Sequence, residues 1–227
     1  MNALAKKLGL SDDLQFYDVY SLEPELVAHI PRPVYALLVI IPLTNAWDKD
    51  RQAEDSTMAD YAGSGDQEPV VWFKQTIGEA CGSIGLLHCA INGPASKFIL
   101  PGSTLEKLRA DAVPLNMKDR AQMLYDNQAF EDAHESVVML GDTAPPVLRQ
   151  DPKQGQHFVT FVKADDGHLW ELEGSRKGPL DRGLLTDEED VLSPRALELG
   201  LKRVMSIEQA AGGSDLRFSC IALAGRA

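Results

Sequence analysis

The chain reads as an α/β domain of the α+β kind, in which helices mix with strands that turn antiparallel after residue 155. Three stretches predict this. VYALLVIIPL, residues 34–43, is an unbroken apolar run rich in β-branched residues, bounded by Pro31, Pro33 and Pro42. That is the pattern of a fully buried strand. From about Glu79 the period changes, and Ala80, Ile84, Leu87 and Ile91 recur at helical spacing until Asn92-Gly93-Pro94, a helix stop. HFVTFV and HLWELEG then flank Lys163-Ala164-Asp165-Asp166-Gly167, a hairpin whose glycine adopts positive φ cheaply.

The remaining elements fill in around these. A short helix opens the chain and stops near Gly9, and Glu23 to His29 is expected to add a helical turn before Pro31. Residues 48–62 read as a solvated polar helix, GSGDQEP as a loop, and residues 70–74 as a short extended run. Ser103 followed by Glu106 forms a capping box for a helix over STLEKLRADA, because the hydroxyl and the carboxylate can each take an orphan backbone N–H. Another helix covers roughly 117–128, residues 191–211 are helical, and LRFSCIALA, 216–224, is a last strand. Between them, residues 129–155 carry three prolines, several charges and no sustained period. A structureless segment of that length is either functional or a tolerated insertion.

Composition excludes several classes. The chain has 227 residues, so a single domain spanning 1–227 is expected, large enough for a core without staples. Three cysteines make a poor disulfide framework and read as free thiols of a reducing compartment. The net charge of −12, from 34 acidic and 22 basic residues, argues against nucleic-acid binding, which needs a basic face. It suits either a basic partner or plain solubility. The longest apolar run is shorter than the roughly 20 residues a membrane span requires. The start, MNALAKKLGLSDD, is too polar for a secretory signal. The cytosol is expected, with the nucleus open, and no membrane partner.

The chemistry concentrates in QTIGEACGSIGLLHCAING, residues 75–93. Cys81 lies where the helical pattern begins, and a helix N-terminus favours a thiolate. Gly78 and Gly82 leave room for a substrate backbone. A thiolate nucleophile also needs a base and oxyanion donors, a role that suits the Gln75 amide and the Cys81 backbone N–H. The alternative is an inert core cysteine. Cys89 and Cys220 read as buried structural thiols, His88 as packed on its helix, and His29, His134 and His168 lack ligand spacing, so neither metal nor cofactor is expected.

QTIGEACGSIGLLH closely resembles the active-site segment of the ubiquitin C-terminal hydrolases, papain-like cysteine deubiquitinases. The resemblance extends through LGLSDDLQFYDVYSLEPELVAHIPRPVYALLVIIPLT, PGSTLEKL, QHFVTFVKADDGHLWELEGSRKGPLDRG and SDLRFSCIALAG. It implies a papain-like fold, a mostly antiparallel central sheet flanked by helices, and a crossover loop over the active site at about 129–155. It implies Cys81 as nucleophile, His157 as general base and then acid, and Gln75 as oxyanion donor. The family's orienting aspartate falls on Glu173, in Trp170-Glu171-Leu172-Glu173-Gly174. An extra methylene there requires a re-adjusted backbone or lowers the rate. Glu171, on the same strand face by the two-residue period, is the weaker candidate. A second departure is that the family's Trp-x-Pro-Leu-Glu-like stretch precedes the point where this chain begins, which bears on stability and on ubiquitin contacts.

The implied partner is ubiquitin, whose terminal Gly-Gly would pass a narrow groove beside Cys81. Asp18 and Asp215 are candidate contacts to its basic surface. A crossover loop would admit small adducts and peptides more readily than folded proteins. The sequence shows no extra domain for docking to a larger assembly, so a hydrolase working as a monomer is expected. A ubiquitin-binding protein with weak or lost activity and a hydrolase of a ubiquitin-like protein such as Nedd8 are the alternatives.

Overall fold

The computed structural model describes residues 1–78, 80–138, 155–212 and 218–227. The apolar run forms β2, Val34–Pro42, with Leu37, Leu38, Val39 and Ile41 all buried. A strand apolar on both faces needs a layer on each side, and it has them. Ala36 and Leu38 join one core with α1 (Asn2–Leu8), α3 (Cys81–Ile91), α4 (Thr104–Ala112), α5 (Met117–Tyr125) and α6 (Gln128–Val138). Leu37, Val39 and Ile41 join the other, with α7 (Pro194–Leu199), α8 (Leu201–Ala210) and Trp47 of α2 (Asn45–Ser56).

β2 lies inside a six-stranded sheet of order β1-β6-β2-β3-β4-β5, antiparallel throughout. The others are β1 (Leu14–Asp18), β3 (Gln156–Lys163), β4 (His168–Leu172), β5 (Leu180–Leu184) and β6 (Ser219–Gly225). β3 and β4 form the expected hairpin, with Ala164 N–H donating to the His168 carbonyl.

α3 is buried almost all round, with nine of its eleven residues inside. It can rest this deeply because Gly85 has no side chain. A Cβ there would lie 2.5 Å from Leu38 Cδ1 and 3.3 Å from Thr160 Oγ1. Thr160 Oγ1 instead donates to the Gly85 carbonyl at 3.0 Å. The helix that begins with Cys81 is thereby fastened to the strand that carries His157.

Several expectations change. Residues 70–73 are buried, the run 70–74 joins no strand, and buried backbone must still be paired. Side chains supply the partners: Val71 N–H donates to Asn92 Oδ1 at 2.7 Å, Asn92 Nδ2 to the Val71 carbonyl at 3.0 Å, and Phe73 N–H to His88 Nε2 at 3.0 Å. The segment 23–29 forms turns, not a helix. The expected structureless stretch at 129–155 is corrected at its start, because residues 128–138 form α6, with Phe130, Ala133 and Val137 against the core. Residues 139–154 of that stretch lie outside the described residues. The polar helix begins earlier than expected, at Asn45, where the Thr44 side chain accepts from Trp47 N–H at 3.1 Å. The 191–211 helix divides at Gly200 into α7 and α8. Ser103 caps α4, but Glu106 takes the N–H of Gly102 rather than that of Ser103.

Candidate active site

Cys81 is the first residue of α3, half-buried, with no side chain capping the helix start. The positive end of the helix therefore bears on its sulfur. His157 is the second residue of β3, paired with Ile41 across the sheet and nearly buried. Its imidazole is hydrogen-bonded to Glu173, and Cys81 is close enough to act on its titration. Nε2 takes the Glu173 Oε1 contact, which leaves Nδ1 for the thiol. The structure thus brings together three of the four catalytic candidates.

Glu173 sits just beyond β4 and is 1 % exposed. The consequence of Glu replacing Asp is visible in its partners. Oε1 also accepts Ser175 N–H at 2.6 Å, and Oε2 accepts Ser175 Oγ at 2.8 Å. Ser175 grips both oxygens and so fixes which one faces His157. An ionised carboxylate has about four acceptor sites and offers no donor, so these bonds favour the charged form. Burial alone would raise the Glu173 pKa, but His157 and Ser175 hold it below the ordinary range. For His157, burial alone would lower the pKa, yet Cys81 and Glu173 together raise it to about 9. The imidazole is therefore an imidazolium at neutral pH, which is the form that can deliver a proton.

A supporting layer holds the acid loop. Trp72 Nε1 donates to the Glu173 carbonyl at 3.2 Å. Fully buried Arg120 donates to the Trp72 carbonyl at 3.1 Å and pairs with Glu68 at 2.7 Å. Lys74 Nζ donates to the carbonyls of Ser175 and Arg176 at 3.0 and 2.6 Å. Arg176 pairs with Glu54 of α2 and donates to the Arg51 carbonyl at 3.1 Å. Glu171 is engaged elsewhere, with Arg182 Nε at 2.7 Å. Arg182 also binds Glu54 at 2.6 Å. Burial opposes ionisation of Glu54, but Arg182, Arg176 and Arg203 hold its pKa down to about 2.

Gln75 is anchored to the acid loop, and among the described residues no hydrogen bond joins it to Cys81. Its N–H donates to the Gly174 carbonyl at 2.9 Å. A Cβ on Gly174 would lie 2.7 Å from Gln75 Cβ, so glycine is needed there. Its amide Nε2 donates to the Ile77 carbonyl at 3.3 Å. Asp18 is exposed at the end of β1, accepts from Tyr20 OH at 3.2 Å, and lines a cavity with Phe158 and Ile221. Phe158 also flanks Gly82, so this cavity lies on the Cys81 side. Asp215 lies outside the described residues.

The other thiols are inert by burial. Cys89 is fully buried and its pKa is pushed strongly upward, and Cys220 is pushed up to about 12. His88 accepts Phe73 N–H, and His134 Nδ1 is 2.6 Å from Ser83 Oγ. Among the described residues no group of three or more His, Cys, Asp or Glu could hold a metal, and no helix is long and apolar enough to cross a membrane. Sequence reasoning missed Ser175, Trp47, Trp72 and Lys74. Only Ser175 carried a local signal, a hydroxyl two residues past the acid, in reach of it through a tight turn.

A family model described as ubiquitin carboxyl-terminal hydrolase, family 1, matches residues 1–206. The isozyme L1 of this enzyme from Rattus norvegicus is 33 % identical over 223 residues, covering 98 % of this chain and 93 % of the relative. The isozyme L1 from Homo sapiens is 31 % identical with the same coverage. The fold matches the catalytic domain of Trichinella spiralis UCH37, solved bound to ubiquitin vinyl methyl ester. Its TM-score is 0.73 at 19 % identity, covering 100 % of this chain and 91 % of that one. With this match over most of its length and a papain-like arrangement of helix-borne cysteine and strand-borne histidine, the chain belongs to the ubiquitin carboxyl-terminal hydrolase family.

Proposed function

We propose that this chain is a thiol-dependent ubiquitin hydrolase that releases small adducts or peptides from the C-terminal glycine of ubiquitin. The observation that carries this is the relay Cys81–His157–Glu173, with Glu173 charged and doubly held by Ser175. With the proton already on His157, the Cys81 thiolate attacks the carbonyl carbon of the terminal glycine. A C–S bond forms and the carbonyl oxygen becomes an oxyanion. Gln75 Nε2, now on the weak 3.3 Å bond to Ile77, is the side-chain amide that would receive it. The oxyanion collapses, the C–N bond breaks, and His157 passes its proton to the departing amine. Water then gives a proton to His157 and attacks the thioester, the C–S bond breaks, and thiolate and imidazolium are restored.

A glutamate serves in this relay because its longer reach is offset by Ser175, which folds the carboxylate back toward His157. This favours a working enzyme over a ubiquitin-binding protein that has lost its activity. The limit to small leaving groups is supported by connectivity. α6 is tied to α3 through Ser83 and His134, and β3 begins one residue before His157. The chain thus leaves the cysteine side of the site at the end of α6 and enters the histidine side at β3. Asp18, in a protein of net charge −12, supports electrostatic steering of ubiquitin's basic surface, which weakens as salt rises.

The test is hydrolysis of a fluorogenic ubiquitin C-terminal amide, wild type beside Cys81→Ala. Turnover by the wild type that vanishes in the variant is expected. A wild type that binds ubiquitin without turnover would make the chain a binding protein instead.

A further inference from the structure

The site has a second recess, beside His157. A cavity of about 310 Å³ opens between the start of α2 and the acid loop, lined by Thr44, Asn45, Trp47, Asp48, Arg51 and His157. That volume is at the lower end of small-ligand pockets and accommodates one large side chain. The Trp47 ring is centred 6.1 Å from the His157 ring and tilted 46° to it. The Arg51 guanidinium lies 5.4 Å above the same indole and is tied to Asp48 through Nη2 at 2.8 Å. Asp48 thus offsets the Arg51 charge on the α2 wall of the recess.

Its walls are fixed in place. Trp47 N–H is held by Thr44 Oγ1, Arg176 grips the Arg51 carbonyl, and Arg176 and Arg182 pair with Glu54 further along α2. Ser175, which holds the catalytic carboxylate, is also part of the lining. The mechanism does not use this recess, yet the group that protonates the leaving nitrogen forms one of its walls. Whatever is attached to that nitrogen must lie close by when His157 delivers its proton.

We propose that the cavity between α2 and His157 receives the aliphatic part of the leaving group next to the scissile nitrogen, packed against the Trp47 indole. The inference rests on the hydrolase reading and adds to it a preference among adducts. An apolar first residue of the leaving peptide removes indole and side-chain surface from water. Glycine at that place leaves the recess empty. Because the contact precedes bond cleavage, the preference falls in acylation and leaves thioester hydrolysis unaffected.

The experiment uses two ubiquitin fusions whose C-terminal extension begins with Leu or with Gly and is otherwise identical. kcat/KM is measured for wild type, Trp47→Phe and Trp47→Ala. The Leu-first substrate is expected to be favoured about tenfold by wild type, the scale of partly burying such a side chain. Trp47→Phe should keep most of this ratio, and Trp47→Ala should bring it to near one. Any loss of rate from exposing the His157–Glu173 pair acts equally on both substrates and cancels in the ratio. A wild-type ratio near one overturns the inference alone, without recourse to a variant. A ratio that survives in Trp47→Ala does the same. If wild type cleaves neither fusion and ubiquitin vinyl methyl ester leaves Cys81 unmodified, the hydrolase reading fails and takes the inference with it.

Discussion

His88 and His157 carry the same side chain at similar burial, 1 % and 9 % exposed, and titrate on opposite sides of the ordinary value. Burial alone pushes both down. At His88 little opposes it, the pKa falls to about 3, and the neutral ring accepts Phe73 N–H. At His157 the influence of Cys81 and Glu173 outweighs burial and brings the pKa to about 9. One imidazole has become a backbone acceptor in place of a strand partner, and the other a proton carrier. The difference lies in the partners, since a buried polar group takes whichever protonation state its neighbours satisfy.

The comparison breaks most sharply at Glu173. Glu173→Gln keeps the size and removes the charge, and we expect kcat to fall about 10³-fold or more, as when the orienting acid of a triad is neutralised. Its pH profile checks the cause. The imidazolium is lost as pH rises, so wild-type kcat/KM should fall on the alkaline side at about 9. In Glu173→Gln that limb should move to lower pH, because the bond and charge that raised the pKa are gone. An unmoved limb would assign the raised pKa to Cys81 alone. Glu173→Asp keeps the charge and shortens the reach. A misplacement of about an ångström predicts a loss on the order of 10²-fold, with the alkaline limb still above that of Glu173→Gln.

Ser175→Ala removes the hydroxyl from Oε2 but leaves the backbone N–H on Oε1. A loss of roughly tenfold in kcat with little change in KM is expected, the worth of one charge-assisted hydrogen bond. In a Glu173→Asp background the same change should matter less, because the shorter acid no longer reaches the hydroxyl. Smallest in its effect on turnover is His88→Leu. It orphans Phe73 N–H and should cost about 2 kcal/mol of stability, read as a lower Tm, while kcat and the alkaline limb per folded molecule stay unchanged. A shifted limb in this variant would couple the two imidazoles.

Period and punctuation made β2, α3 and the β3–β4 hairpin legible, because each buries a continuous face. β1 carried a signal too, since buried Leu14 and Phe16 alternate with half-buried Gln15 and Tyr17, but five residues are easily overlooked. β5 was not, for only Leu180 in Leu-Asp-Arg-Gly-Leu is buried. α6 was hidden by its charges and by prolines that all fall after residue 138, although Phe130, Ala133 and Val137 keep helical spacing. Cys81 and Gln75 were legible as candidates from the helix start and the upstream amide, His157 and Glu173 came from resemblance, and geometry joined Cys81, His157 and Glu173. Trp47 and Lys74 could not be read, because Trp47 meets His157 and Lys74 meets Ser175 across more than a hundred residues, contacts that exist only in the folded chain.

The burial of Cys89 and Cys220 has a practical consequence. Both thiols are sealed and held protonated, while Cys81 is half-buried at the open end of its helix. An alkylating reagent at neutral pH should therefore add one mass label to each native chain, at Cys81, and three to each unfolded one. The number of labels per molecule, read by intact-mass spectrometry, would report folding and active-site availability in a single spectrum, with no substrate present.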